Sequence, residues 1–151
     1  MTPGRVRERI VADRIAWIRR MLAGLAELPL AAEAEFLADA RNPAAAESYL
    51  RRALEGLLDL GRHLLAKGLG VAAVEYKAIA AELARAGVID RELAALLRDM
   101  AGYRNRMVHF YDEVAPAELY RIGLRAPADI ERVITAVLAW LDAHPERVAR
   151  S

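Results

Sequence analysis

The chain has 151 residues, a length that fits one domain able to bury most of its apolar surface without metals or disulfides. Cysteine is absent, which excludes disulfide frameworks, thiol nucleophiles and thiolate metal sites together. Lys plus Arg total 22 against 21 Asp plus Glu, so contact with a polyanion must come from a local patch, not from net charge.

The segment Met1 to Arg9 enters a charged amphipathic pattern directly, with no signal-peptide core, and no long uncharged run occurs elsewhere. These features read as a soluble, unexported protein suited to a reducing cytoplasm. Ala, Leu, Arg and Glu are abundant and favour helices over strands.

Thr2-Pro3 is a cap followed by a proline at the first helical position, and Leu28-Pro29 is a stop. Between them Val11, Ile15, Ile18, Leu22 and Leu25 recur at helical spacing, widened by Ile10, Trp17, Met21 and Leu28. Ala31 to Ala40 supports a short helix at most. Asn42-Pro43 repeats the cap-then-proline signal and opens a second long helix, apolar at Leu50, Leu54, Leu57, Leu58, Leu64 and Leu65. It ends near Lys67-Gly68, with Gly68 suited to the left-handed position. A shorter helix follows over about Ala73 to Ala86, with Ala78, Ile79 and Leu83 inward and Gly87 ending it.

Asp90 caps the next helix. Pro116 opens a short helical turn to about Ile122, and Ala126-Pro127 opens the last long helix, where Ile130, Val133, Ile134, Val137, Leu138 and Leu141 keep strict periodicity. Alternating runs, internal repeats and low-complexity tails are absent from the sequence. The expected architecture is all-α: an antiparallel bundle of four long helices plus short connecting helices, without strands, as one domain over 1–151.

On a helical wheel Leu93, Leu97, Met100, Met107, Val108 and Tyr111 share one side, and Arg104 falls in the middle of it. A guanidinium keeps its proton, so Arg104 must find a carboxylate such as Glu55 or Asp59, carbonyl groups, or a cavity that binds an anion. His109, five residues on, falls about 140° around a straight helix from Arg104, whereas Asn105 lies one turn before it on its own side. Either the helix breaks near Val108 or a working site draws on two chains. By spacing alone His109 also fits a solvated side chain near a helix end. Trp17 and Trp140 read as core, and Arg51-Arg52 as a solvated face.

The string Arg104-Asn105-Arg106-Met107-Val108-His109-Phe110-Tyr111 resembles the R-x4-H-x-Y form of the motif of HEPN domains, in the variant of HepT-like ribonuclease toxins. Phe36-Leu37-Ala38-Asp39, Asn42-Pro43, Ala86-Gly87-Val88-Ile89, Ala101-Gly102-Tyr103 and Tyr111-Asp112-Glu113-Val114 are similar to stretches of that family in the same order. The likeness runs from about Arg14 to Asp142.

The resemblance implies metal-free RNA cleavage, in which a 2′-hydroxyl attacks the adjacent phosphorus and leaves a cyclic phosphate. Histidine suits the proton transfers and a fixed arginine suits the charge on the phosphorane. Arg104 and His109 are thus the candidate catalytic residues, supported by Asn105 and Arg106, with no cofactor. His63, His109 and His144 are far apart in sequence and form no His-x3-His pair. One motif histidine per chain cannot be base and acid in one step, so a homodimer with both motifs at one cleft is expected. Tyr111 has three readings: a core tyrosine, an RNA-contacting side chain, or, as the family implies, the site where a cognate minimal nucleotidyltransferase antitoxin adds adenylate. The alternative class is a non-catalytic helical module that assists an associated nucleotidyltransferase.

Overall fold

The computed structural model describes residues 4–72, 75–109 and 114–150. Six α-helices lie among them: α1 (Glu8–Ala26), α2 (Glu33–Leu37), α3 (Arg41–His63), α4 (Tyr76–Arg85), α5 (Arg91–Val108) and α6 (Pro116–Ala143). Four are long, as the periodicity predicts, and two are short. One hydrophobic cluster runs through all six.

The first helix starts later than the Thr2-Pro3 signal suggests. Thr2 and Pro3 lie outside the described residues, and Val6–Arg7 is extended (β1), pairing in parallel with Val148–Ala149 (β2). This two-residue ladder departs from the strand-free expectation. Its physical reason is the β-branched Val6, fully buried, which extended backbone delivers to the end of α3. There α3 continues into one π-helical turn, Leu64–Gly68, which closes the helix near the expected Lys67-Gly68. Gly68 is not left-handed; that conformation falls to Gly70, at φ 66°. Gly68 is needed for close approach instead, since a Cβ there would lie 2.8 Å from Val6 Cγ2. Its carbonyl accepts from Arg147 Nη1 at 3.0 Å, which secures the second strand beside the first.

α3 begins at Arg41, with Ala40 and not Asn42 at its N-cap position. The Asp39 carboxylate accepts from Arg41 N at 2.9 Å, and the Asn42 side-chain amide donates to the Phe36 carbonyl, bracing α2. Further along, Ile79, Ala80 and Leu83 are the inward residues of α4; Ala78 is exposed, correcting its expected place. α4 ends as predicted at Gly87, φ 80°, with Gly87 N bonded to Ala84 O and Val88 N to Leu83 O. Asp90 caps α5 by accepting from Leu93 N at 2.7 Å.

The two expected elements after Pro116 are one 28-residue helix with Pro127 inside it. Proline removes a single backbone hydrogen bond, while Leu119, Ile122, Ala126, Ile130 and Val133 keep both halves of α6 on the core. Leu138 departs from its periodicity and is 38% exposed, lining a groove with Val11, Ile15 and Leu141. Trp140 is buried against the His144 ring, and Trp17 is half-buried.

The approach of α3 to α4 depends on Gly61, where a Cβ would lie 2.8 Å from Ile79 Cγ2 and 3.2 Å from Leu83 Cδ1. Gly61→Val is expected to lower stability by about 2 kcal/mol through overpacking. Gly102→Ala, whose added methyl meets nothing within 4 Å, should raise it by roughly 0.5–1 kcal/mol. Thermal unfolding followed at 222 nm checks both; equal shifts for the two would refute the close-approach argument. A second expectation concerns acid. Arg7 N donates to His63 Nε2 at 3.3 Å, which requires the neutral ring. Burial, then the charges of Lys67, Arg14 and Arg7, hold the His63 pKa below its ordinary 6.5. A depressed histidine stabilises the fold fully above that ordinary value and loses its contribution as pH falls through the folded value. The melting temperature should therefore drop more steeply between about pH 7 and about pH 5 than in His63→Gln. Parallel pH slopes would show that His63 contributes nothing.

Candidate active site at the end of α5

The helix α5 stops at Val108, and His109 follows in extended backbone with φ −102° and ψ 101°. Of the two alternatives left by the wheel, the break near Val108 is thus realised. Val108 is 40% exposed, so it does not extend the inner stripe as expected. Tyr111 lies outside the described residues.

Arg104 is half-buried and finds the carboxylate that its wheel position demands. Its Nε donates to Glu55 Oε1 at 3.3 Å, its Nη1 donates to Asn105 Oδ1 at 3.2 Å, and its guanidinium lies 4.7 Å from the centre of the Tyr76 ring. Glu55 also accepts from Arg51 Nη1 at 3.3 Å, so one α3 carboxylate answers two arginines. Asp59, the other expected partner of Arg104, serves the layer behind: it accepts from the Tyr76 hydroxyl at 2.9 Å and pairs with Arg62 at 3.5 Å. Arg62 in turn lies 4.7 Å from the same tyrosine ring. Burial and the hydrogen bond to Asp59 push the Tyr76 phenol above its ordinary pKa, so it remains a neutral donor.

Two open clefts flank Asn105. One, of about 860 Å³, contains His109 together with Lys77, Arg98, Asp99, Asn105 and Arg106. The other, of about 390 Å³, contains Arg104 together with Arg62, Glu75, Tyr76, Lys77 and Asn105. Asn105 and His109 therefore face the same space, as one helical turn between them predicts. Arg104 and His109 do not share a cleft within one chain. Arg106 turns to α6 and forms a two-pronged ion pair with Glu118, whose carboxyl it holds below the usual range. Its charge toward the cleft is correspondingly compensated.

Tyr76, Lys77 and Arg98 were not picked out from the sequence. Tyr76 and Lys77 lie some thirty residues before the motif, and only the packing of α4 against α3 and α5 brings them to it. Among the described residues no group of three or more His, Asp or Glu could hold a metal ion, and no helix is long and apolar enough to cross a membrane.

Known proteins share this fold. The curated tRNA nuclease HepT of Aphanizomenon flos-aquae (strain 2012/KM1/D3) is 26% identical over 112 residues, covering 74% of this chain and 76% of the relative. The fold matches a toxin–antitoxin complex solved with AMP-PNP at a TM-score of 0.79 and 21% identity, over 87% of this chain and 99% of that one. It matches the tri-AMPylated Shewanella oneidensis HEPN toxin, solved in complex with MNT antitoxin, at 0.78 and 22% identity, over 86% and 97%. YutE of Bacillus subtilis, a cytosolic protein of unknown function, matches at 0.75 and 16% identity, over 89% and 90%. The description ribonuclease HepT-like fits residues 15–137, most of the chain and all of the described cleft from Arg62 to His109, and the chain accordingly belongs to the HepT-like ribonuclease family.

Proposed function

We propose that this chain is an RNA endonuclease, the toxin of a toxin–antitoxin pair, which cleaves by metal-independent transesterification in the cytoplasm. The observation that carries the reading is the end of α5: Arg104 and Asn105 on its last turns, His109 released at the break, and an open cleft bordered by cations. Membership of a ribonuclease family supports the reaction class, and the curated tRNA nuclease supports RNA as substrate.

The chemistry follows from those groups. His109 accepts the 2′-hydroxyl proton, O2′ bonds to phosphorus, and the bond from phosphorus to O5′ breaks as O5′ takes up a proton. The products are a 2′,3′-cyclic phosphate and a 5′-hydroxyl, with no net change in protons. Arg104, already oriented by Glu55, Asn105 and Tyr76, offers its remaining N–H groups to the phosphorane oxygens without reorganising. One imidazole cannot take and give a proton in the same step. A homodimer in which the two motifs face one cleft supplies the second histidine, and lets Arg104 of one protomer serve His109 of the other.

Silencing is assigned to Tyr111. A cognate minimal nucleotidyltransferase antitoxin transfers adenylate to its hydroxyl, with loss of pyrophosphate from ATP, and the new phosphodiester anion competes with substrate for the arginines of the site. The AMPylated toxin held by MNT antitoxin in the Shewanella structure supports this assignment.

His109→Ala is expected to reduce RNA cleavage by about 10²–10⁴-fold with an unchanged melting temperature, since the side chain is exposed. Arg104→Ala should reduce it by about 10²–10³-fold and cost about 1 kcal/mol of stability through the lost Glu55 and Tyr76 contacts. Gel analysis of cleaved RNA with and without chelator checks both; cleavage by the His109 variant, or an absolute need for Mg²⁺, would overturn the mechanism. Tyr111→Phe keeps the ring and removes the acceptor oxygen, so it should cleave RNA yet resist the antitoxin. Intact-mass measurement after co-expression should show added adenylate on the unsubstituted protein only; neutralisation without added mass would mean that the partner acts by binding alone.

A further inference from the structure

The cleft that contains Arg104 also takes in Arg62 and Lys77. Lys77, at the start of α4, lines this cleft and the His109 cleft alike, as does Asn105. It is exposed, and it makes no ion pair among the described residues. Three of the other cations here have an acidic neighbour, Glu55 for Arg104, Asp59 for Arg62 and Glu118 for Arg106, while Arg98, like Lys77, forms no ion pair among the described residues. The acidic groups lining the two clefts themselves are Glu75 and Asp99. Tyr76 is no platform for a base, because the guanidinium groups of Arg62 and Arg104 already stack on its ring.

We propose that Arg62 and Lys77 form a second phosphate subsite, which binds the RNA backbone phosphate next to the one held by Arg104. The proposal rests on the nuclease reading and adds a residue set from α3 and α4 to it. Arg62 and Lys77 line the same open cleft as Arg104, so a phosphate on them is continuous with one on Arg104, and Lys77 and Asn105 carry the path on into the His109 cleft. With the tyrosine ring covered, the contact is to the backbone and tolerant of sequence. Lys77 is the shared contact: its flexible stem lets one ammonium bridge the two phosphates as a point charge.

The test uses the full-length His109→Ala protein and a single-stranded RNA that is 2′-O-methylated throughout, so that nothing is cleaved. Adding Lys77→Ala should weaken binding about fivefold at low salt and reduce the slope of log affinity against log salt by about 0.7. Lys77→Arg should restore both, and the melting temperature should stay put in each, which separates a backbone contact from a structural role. If the parent binds RNA and Lys77→Ala changes neither affinity nor slope, the subsite is wrong and the nuclease reading stands. If the parent binds no RNA at any salt, both fall together.

Discussion

A guanidinium stays charged at every pH the protein meets, so α5 can turn Arg104 toward the interior only where another element brings a carboxylate to meet it. Glu55 on α3 is that carboxylate, at 3.3 Å. This requirement sets the height at which α3 and α5 pass each other. It also explains why α4 lies where it does, since Tyr76 fills the remaining face of the guanidinium and is itself tied to α3 through Asp59. The arginine thus holds three helices in register, and its own geometry is set by two of them. A group held on three sides before substrate arrives spends none of its binding energy on being oriented.

The same contacts keep the site folded when empty. Arg62, Arg104 and Arg106 are each neutralised by an acid: Arg62 by Asp59 one turn back on α3, Arg104 by Glu55 of α3, and Arg106 by Glu118 of α6. The chain as a whole carries a formal net charge of only +1. Attraction for a polyanion is therefore local and short-ranged, confined to the clefts beside Asn105, and screening by salt acts on it strongly.

Much of this was legible in the sequence where the cause is local. Asp90 and Gly87 act through hydrogen bonds within a few residues, and both ends form as their residue types dictate. The wheel position of Arg104 demanded a carboxylate, and Glu55 was one of two candidates, because i to i+4 spacing places Glu55 and Asp59 on one face of α3. What eluded the sequence is set by long-range packing. Nothing near Tyr76 or Lys77 announces that α4 will deliver them to a motif some thirty residues on. Gly68 looked like a left-handed helix end and is a point of contact with Val6, because the burial of a residue from the other end of the chain decided it. Pro127 looked like a helix start and lies within α6, because core contacts on both sides outweigh one missing hydrogen bond. Tyr111 falls outside the described residues, so its place in the site rests on the family resemblance.

The break at Val108 has a consequence for how many chains the chemistry needs. Continued as a helix, α5 would have carried His109 about 140° away from Arg104. Released into extended backbone, His109 instead faces the cleft on the far side of Asn105 from Arg104. The break brings the two groups to one end of the bundle without bringing them to one point. A metal-free transesterification needs an acid, a base and a cation around a single phosphorus. One chain offers this site one imidazole, His109, in a cleft that Arg104 does not line. In the proposed homodimer, two such ends apposed about a twofold axis would set the imidazole of each toward the guanidinium of the other and make up both deficits with one operation. The proposed dimer thus answers both the proton count and the position of Asn105.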